Sequence, residues 1–154
     1  MKRNVLLAFL LAPFLFAACG KSDTECVPAT VASEKAAMVA YCTANNITYT
    51  EHESGILYEV MSPGLGAQPT LSNTVSTVYT GKLLNGTQFD ASANPVSFLL
   101  SGVIKGWQIG IPLIKKSGRI KLVIPSSLAY GCTGQGSIPA NAPLYFEVTL
   151  TDVR

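Results

Sequence analysis

Apolar and polar positions fall into three regimes along the chain. Val5 to Phe16 is a run of 12 apolar residues, Pro13 included, preceded by Lys2 and Arg3 and followed by the small residues Ala17 and Ala18. Such a run is too short for a comfortable transmembrane helix and matches the apolar region of an export signal. Residues 30–46 have mixed polarity and are rich in good helix formers, Glu34 to Tyr41 above all. A helix is expected there, capped by Thr30 or Ser33 and stopped at Asn45-Asn46. Val39, Cys42 and Ala36 form its narrow apolar stripe.

From about Ser54 the hydrophobic period becomes two, and turn residues punctuate it. Strands are expected over 56–61, 75–84, 87–90, 96–100, 119–124 and 144–153. Gly81 reads as a bulge or a point of close approach, and Asn85-Gly86 as a hairpin turn. Only a short helix fits 106–111, because Pro112 and Gly118 bracket the stretch beyond it. Five or six strands wrapped on one short helix make an α+β domain of roughly 100 residues. The expected division is 1–18 signal peptide, 19–53 tether and N-terminal helix, and 54–154 globular domain.

Composition narrows the possibilities. At 48% apolar and 13% charged residues, with 13 Gly and 9 Pro, the chain is neither a coiled coil nor disordered. Without Lys2 and Arg3, nine basic residues face nine acidic ones. A neutral chain gives no electrostatic reason to expect nucleic-acid binding. Residues 19–59 carry six acids against Lys21 and Lys35, whereas 60–154 carry seven bases against three acids. The helical segment therefore either packs on the basic half or presents a solvated acidic face; the second is expected. Lys105, Lys115, Lys116, Arg119 and Lys121 read as a solvated basic face.

Leu15 to Cys19, LFAAC, resembles a bacterial lipobox, in which the cysteine is lipidated and becomes the mature N-terminus. Gly20 after it resembles the pattern sent on to the outer membrane. The alternative is ordinary cleavage near Ala18. Export into an oxidising compartment allows disulfides. Cys26 and Cys42 flank the helix, and a bridge between them would staple the arm to it; Cys132 reads as a space-filling residue. With no CxxC and a lone His52 between Glu51 and Glu53, no metal and no cofactor are expected.

An ordered set of motifs runs through the strand-rich part: Tyr79-Thr80-Gly81, Leu83 to Asp90, Pro95 to Leu100, Val103-Ile104-Lys105-Gly106-Trp107, Ile124-Pro125, Leu128 to Gly131, and Ile138 to Phe146. Together these resemble the FKBP-type peptidyl-prolyl cis-trans isomerases over residues 54–154. The leader and extra helix resemble the short lipoprotein members from Gram-negative bacteria. The resemblance implies an FKBP-like twisted antiparallel sheet wrapped on one short helix, with an N-terminal helical extension. It implies Trp107 as the floor under a proline ring, and Tyr79, Phe89, Val103, Ile104 and Phe146 as walls. Tyr130 and the Ile104 N–H would be donors to a substrate carbonyl. Asp90 would be an acceptor at the edge, and Ile138 would close the site. Phe98 is left as core. Val96 stands where many members carry an aromatic, and residues 91–95 lack an arginine that often pairs with the aspartate.

Those residue types suit the implied chemistry. Rotating an amide breaks no covalent bond, so aromatics, aliphatics, hydroxyls and one carboxylate suffice, without a nucleophile–base pair. The implied partners are proline-containing unfolded exported chains and, through the anchor, a membrane. A non-catalytic polypeptide-binding module using the same cup is the competing reading.

Overall fold

The computed structural model describes residues 26–154. The expected signal peptide, Cys19 and the first residues of the expected tether lie outside the described residues. The order is helix α1 (Val31–Ala44), strands β1 (Thr50–Glu51), β2 (Leu57–Ser62), β3 (Thr74–Leu83) and β4 (Gln88–Leu99), helix α2 (Lys105–Gly110), then β5 (Arg119–Ile124) and β6 (Leu144–Val153). The six strands form one antiparallel sheet in the order β1-β2-β5-β6-β3-β4. The α+β architecture read from the sequence is the one observed.

Strand parity divides the sheet into two faces. Inward-facing Ile120, Leu122, Ile124, Leu144, Val148 and Leu150 are fully buried with Ile56, Ile111 and Ile114 under α2. Helix α2 seats closely because Gly106 and Gly110, one turn apart, face β5. A Cβ at Gly106 would strike Ile124, and one at Gly110 would lie 2.6 Å from Leu122. The close seating fixes where Trp107 projects.

The other face is half covered by α1. Thr30 caps the helix by accepting a hydrogen bond from the Ser33 N–H at 3.1 Å. The buried positions Glu34, Met38 and Cys42 recur every four residues, so one stripe faces the sheet. Met38, Cys42 and Ile47 pack on Leu57, Val123 and Tyr145. Helix α1 is thus not a solvated acidic face: its Glu34 is buried, and its carboxylate accepts from the Ser126 N–H at 2.8 Å and from the Ser126 hydroxyl. Ala36, placed in the stripe by the sequence reading, is exposed.

The expected Cys26–Cys42 pair does not form. Cys42 points into the packed helix–sheet interface as a free thiol, and Cys26 is bonded to Cys132, 106 residues away, with Cα atoms 5.4 Å apart. The arm before α1 runs toward the loop after β5, away from the end of α1 that carries Cys42. The two short strands expected at 87–90 and 96–100 are one long β4. The basic face is mostly paired: Lys116 with Asp152, Lys121 with Glu59, and Arg119 with Glu147.

Met38→Ala tests whether α1 belongs to the fold. Truncating a buried methionine should cost about 2–5 kcal/mol in urea unfolding. A change within about 0.5 kcal/mol, as at an exposed position, would mean that the helix contributes no core.

Candidate functional site

The concave face of the sheet and α2 enclose an open cup of about 320 Å³, lined by Tyr79, Phe89, Asp90, Phe98, Gly102, Val103, Ile104, Trp107, Tyr130 and Phe146. Trp107 is 4% exposed and lies at the centre of the aromatic set. It meets Tyr79, Phe98 and Phe146 edge to face at centroid distances of 5.2, 5.9 and 5.3 Å. Phe89 meets Phe146 in the same way at 5.5 Å. These are the favoured aromatic arrangements.

A bulge makes one wall. Gly81 pairs with Asp90, but Lys82 pairs with Gln88, so Phe89 is an extra residue on β4. Neighbours on a regular strand face opposite ways. The extra residue re-aims the chain, and both Phe89 and Asp90 reach the cup. Gly81 makes room across the pair: a Cβ there would sit 2.7 Å from the Phe89 ring and 2.8 Å from Phe146.

Val103 and Ile104 enter from the segment between β4 and α2. Gln108 on α2 donates to the carbonyls of Val103 (2.7 Å) and Ser101 (3.1 Å), fastening that segment to the helix. The Ile104 carbonyl accepts from the Trp107 and Gln108 N–H groups at the helix start, while its own N–H meets no acceptor among the described residues. Tyr130 comes from the opposite side. It follows a 3-10 turn at Ser126–Leu128, and the Ser126 carbonyl accepts from the N–H groups of Ala129 and Gly131 at 2.9 and 2.8 Å.

Polar chemistry is confined to the edge. The Tyr79 hydroxyl donates to Asp90 Oδ2 at 2.7 Å. Burial, then the hydrogen bond and charge of Asp90, push the Tyr79 phenol up to about 12. Burial and the Asp90 charge also raise Tyr130. Both phenols therefore stay neutral donors at physiological pH. Among the described residues, no lysine or arginine lines the cup. With no arginine on 91–95, the tyrosine hydroxyl is what holds the aspartate.

Eight residues singled out from the sequence come together here: Tyr79, Phe89, Asp90, Val103, Ile104, Trp107, Tyr130 and Phe146. Ile138 does not line the cup; it is 7% exposed in the core cluster that includes Trp107 and Phe146. Phe98, read as core, is a wall instead. Phe98 shares a face of β4 with Val96, two residues earlier, and strand parity alone does not separate a wall from a core residue.

Comparison with known proteins shows the family. The family model described as FKBP-type peptidyl-prolyl cis-trans isomerase matches residues 66–151. The chain is 48% identical over 104 residues to the FKBP-type peptidyl-prolyl cis-trans isomerase FkpA of Escherichia coli K12, covering 66% of this chain and 38% of that protein. It is 47% identical over 106 residues to a probable FKBP-type isomerase of Haemophilus influenzae, covering 66% of this chain and 44% of that one. The chain thus spans about two fifths of the length of these curated relatives. The crystal structure of Escherichia coli FkpA superposes with a TM-score of 0.72 at 41% identity, over 80% of this chain and 61% of that one. A Pseudomonas syringae peptidyl-prolyl isomerase superposes at 0.69 with 32% identity, over 82% and 98%.

The coupling of Tyr79 to Asp90 is testable by tyrosine-selective carbon NMR. Tyr79 should ionise near 12 in the wild type, and Asp90→Asn should bring it part of the way back to 10. Because the folded-state value is raised, the stability this contributes is fully present below pH 10 and is lost as pH rises toward about 12. An unchanged Tyr79 titration in the variant would show that the aspartate does not govern the phenol.

Proposed function

Since the chain belongs to the FKBP-type peptidyl-prolyl cis-trans isomerase family, we propose that it catalyses rotation about Xaa-Pro bonds and so assists the folding of exported polypeptides. The observation that carries the reading is an aromatic cup with hydrogen-bonding groups at its edge. Amide resonance sets a rotation barrier of about 18–20 kcal/mol for an ordinary peptide bond. Xaa-Pro bonds populate both isomers and exchange over tens to hundreds of seconds. A catalyst must bind the twisted amide better than either planar form.

A water-poor aromatic cup favours the twisted form, because the planar form owes more of its stability to charge separation that water solvates. In this reading the proline ring lies on Trp107 between Tyr79, Phe89, Val103 and Phe146. The Tyr130 hydroxyl and the Ile104 N–H hold substrate carbonyls while the bond turns. Asp90 orders the Tyr79 hydroxyl and moves no proton.

Place follows from the N-terminus. Lys2, Arg3, the apolar run and LFAAC support export and lipidation at Cys19, with Gly20 favouring the outer membrane and the cup facing the periplasm. The Cys26–Cys132 bond suits an oxidising compartment.

The activity is tested by cis-to-trans exchange on Xaa-Pro peptides with the full chain. Trp107→Ala should lower kcat/KM by about tenfold or more, equivalent to about 1.4 kcal/mol of lost transition-state binding. Trp107→Leu, closer in volume, guards against simple unfolding, and Lys115→Ala should match the wild type. Tight peptide binding without acceleration would instead favour the non-catalytic binding module.

The anchor is tested separately. Native protein should partition with membranes, and Cys19→Ala should release it to the soluble fraction. An unmodified N-terminus by mass spectrometry in wholly soluble wild-type protein would remove the anchor and leave the isomerase reading untouched.

A further inference from the structure

We infer that the N-terminal segment 26–34 braces the loop that carries Tyr130 and sets its hydroxyl over the cup, making Cys26, Cys132, Asn141 and Glu34 positioning residues. Only the kinetic consequence of this rests on the isomerase reading. Strand β5 ends at Ile124 and β6 begins at Leu144, so residues 125–143 cross the rim without a strand or α-helix of their own. Such connections are ordinarily the most mobile parts of a domain. A hydroxyl that must hold a carbonyl needs placement to within a fraction of an ångström.

Three attachments supply that placement, all outside the cup lining. The Cys26–Cys132 bond ends two residues beyond Tyr130. The Asn141 side chain grips the same arm: its Oδ1 accepts from the Ala29 N–H at 2.9 Å and its Nδ2 donates to the Val27 carbonyl at 3.0 Å. The Asn141 backbone N–H meanwhile donates to the Gly131 carbonyl at 2.8 Å, joining the arm to the residue next to Tyr130. Glu34 holds the near end: its carboxylate accepts twice from Ser126, whose carbonyl in turn accepts from Ala129 and Gly131. Tyr130 is thus clamped from 126, 131 and 132 by a segment about a hundred residues earlier in the chain. Contacts serving only the core would have no reason to converge on the flanks of one rim residue.

The experiment uses the full chain carrying Cys26→Ser with Cys132→Ser, and separately Asn141→Ala, which keeps the disulfide. Amide exchange at Ala129 and Gly131 should accelerate about tenfold or more in the double variant while β6 amides do not change. On Xaa-Pro peptides, kcat/KM should fall about two- to fivefold, mainly through KM, and should not fall further when Tyr130→Phe is already present. Asn141→Ala should move both readouts in the same direction by less. Unchanged loop amides, or an equal loss of kcat/KM in the Tyr130 and Tyr130→Phe backgrounds, would overturn the brace. An inactive wild type whose loop amides accelerate in the variant would retire the isomerase reading and uphold the brace.

Discussion

Helix α2 can lie directly on the Leu122 and Ile124 side chains of β5 only because Gly106 and Gly110 present no side chains to them. Trp107, between them, is then driven into the concave side of the sheet and cannot move without lifting the helix from Leu122 and Ile124. Its position is not free of cost. The indole N–H is buried without a partner among the described residues, worth about 1–3 kcal/mol against the fold. Three edge-to-face contacts at about 0.5–1.5 kcal/mol each, with burial of the indole itself, offset that penalty. The ring is placed by packing, which suits a surface that must receive an apolar ring.

The walls depend on departures from regular pairing. A regular β4 would send Phe89 and Asp90 to opposite faces; the slip in register at Gly81–Lys82 gives the cup an aromatic wall and a carboxylate edge from adjacent residues. A second slip, between Thr77 and Tyr79, takes Pro95 out of the ladder, where its missing N–H would leave an acceptor unpaired. Tyr79 lies between the two irregularities and links them to the site, meeting Trp107 edge to face and donating to Asp90. The aspartate is held by a neutral donor, so the rim keeps one net negative charge beside two un-ionised phenols.

Local pattern made most of this readable. Period-two alternation located β3, β5 and β6, the Asn-Gly turn located the hairpin, and the motif set singled out eight of the ten cup residues. What escaped was non-local. Cysteine spacing is silent about which thiols meet, because the approach of Cys132 to Cys26, 106 residues away, is set by the fold of everything between them. Glu34 read as an exposed acid because its partner, Ser126, is 92 residues away. An unpaired carboxylate would be expelled from such a place by several kcal/mol, so only knowledge of the pairing makes the burial intelligible. Strand β1, two residues long on the sheet edge, carries too short a pattern to register. The Phe98 side chain looked like core because a wall and a core residue share the same parity.

The same non-local links change what the N-terminal segment would mean under the proposed lipidation of Cys19. If α1 were free, the distance from Cys19 to the cup would include the whole helix. Since the arm is covalently fixed at Cys26, only seven residues of sequence separate that point from Cys19. Fully extended, that reaches at most about 25 Å. A lipid on Cys19 would therefore hold the Tyr130 rim, not merely the domain, close to the bilayer. The α1-covered face of the sheet carries none of the residues that line the cup.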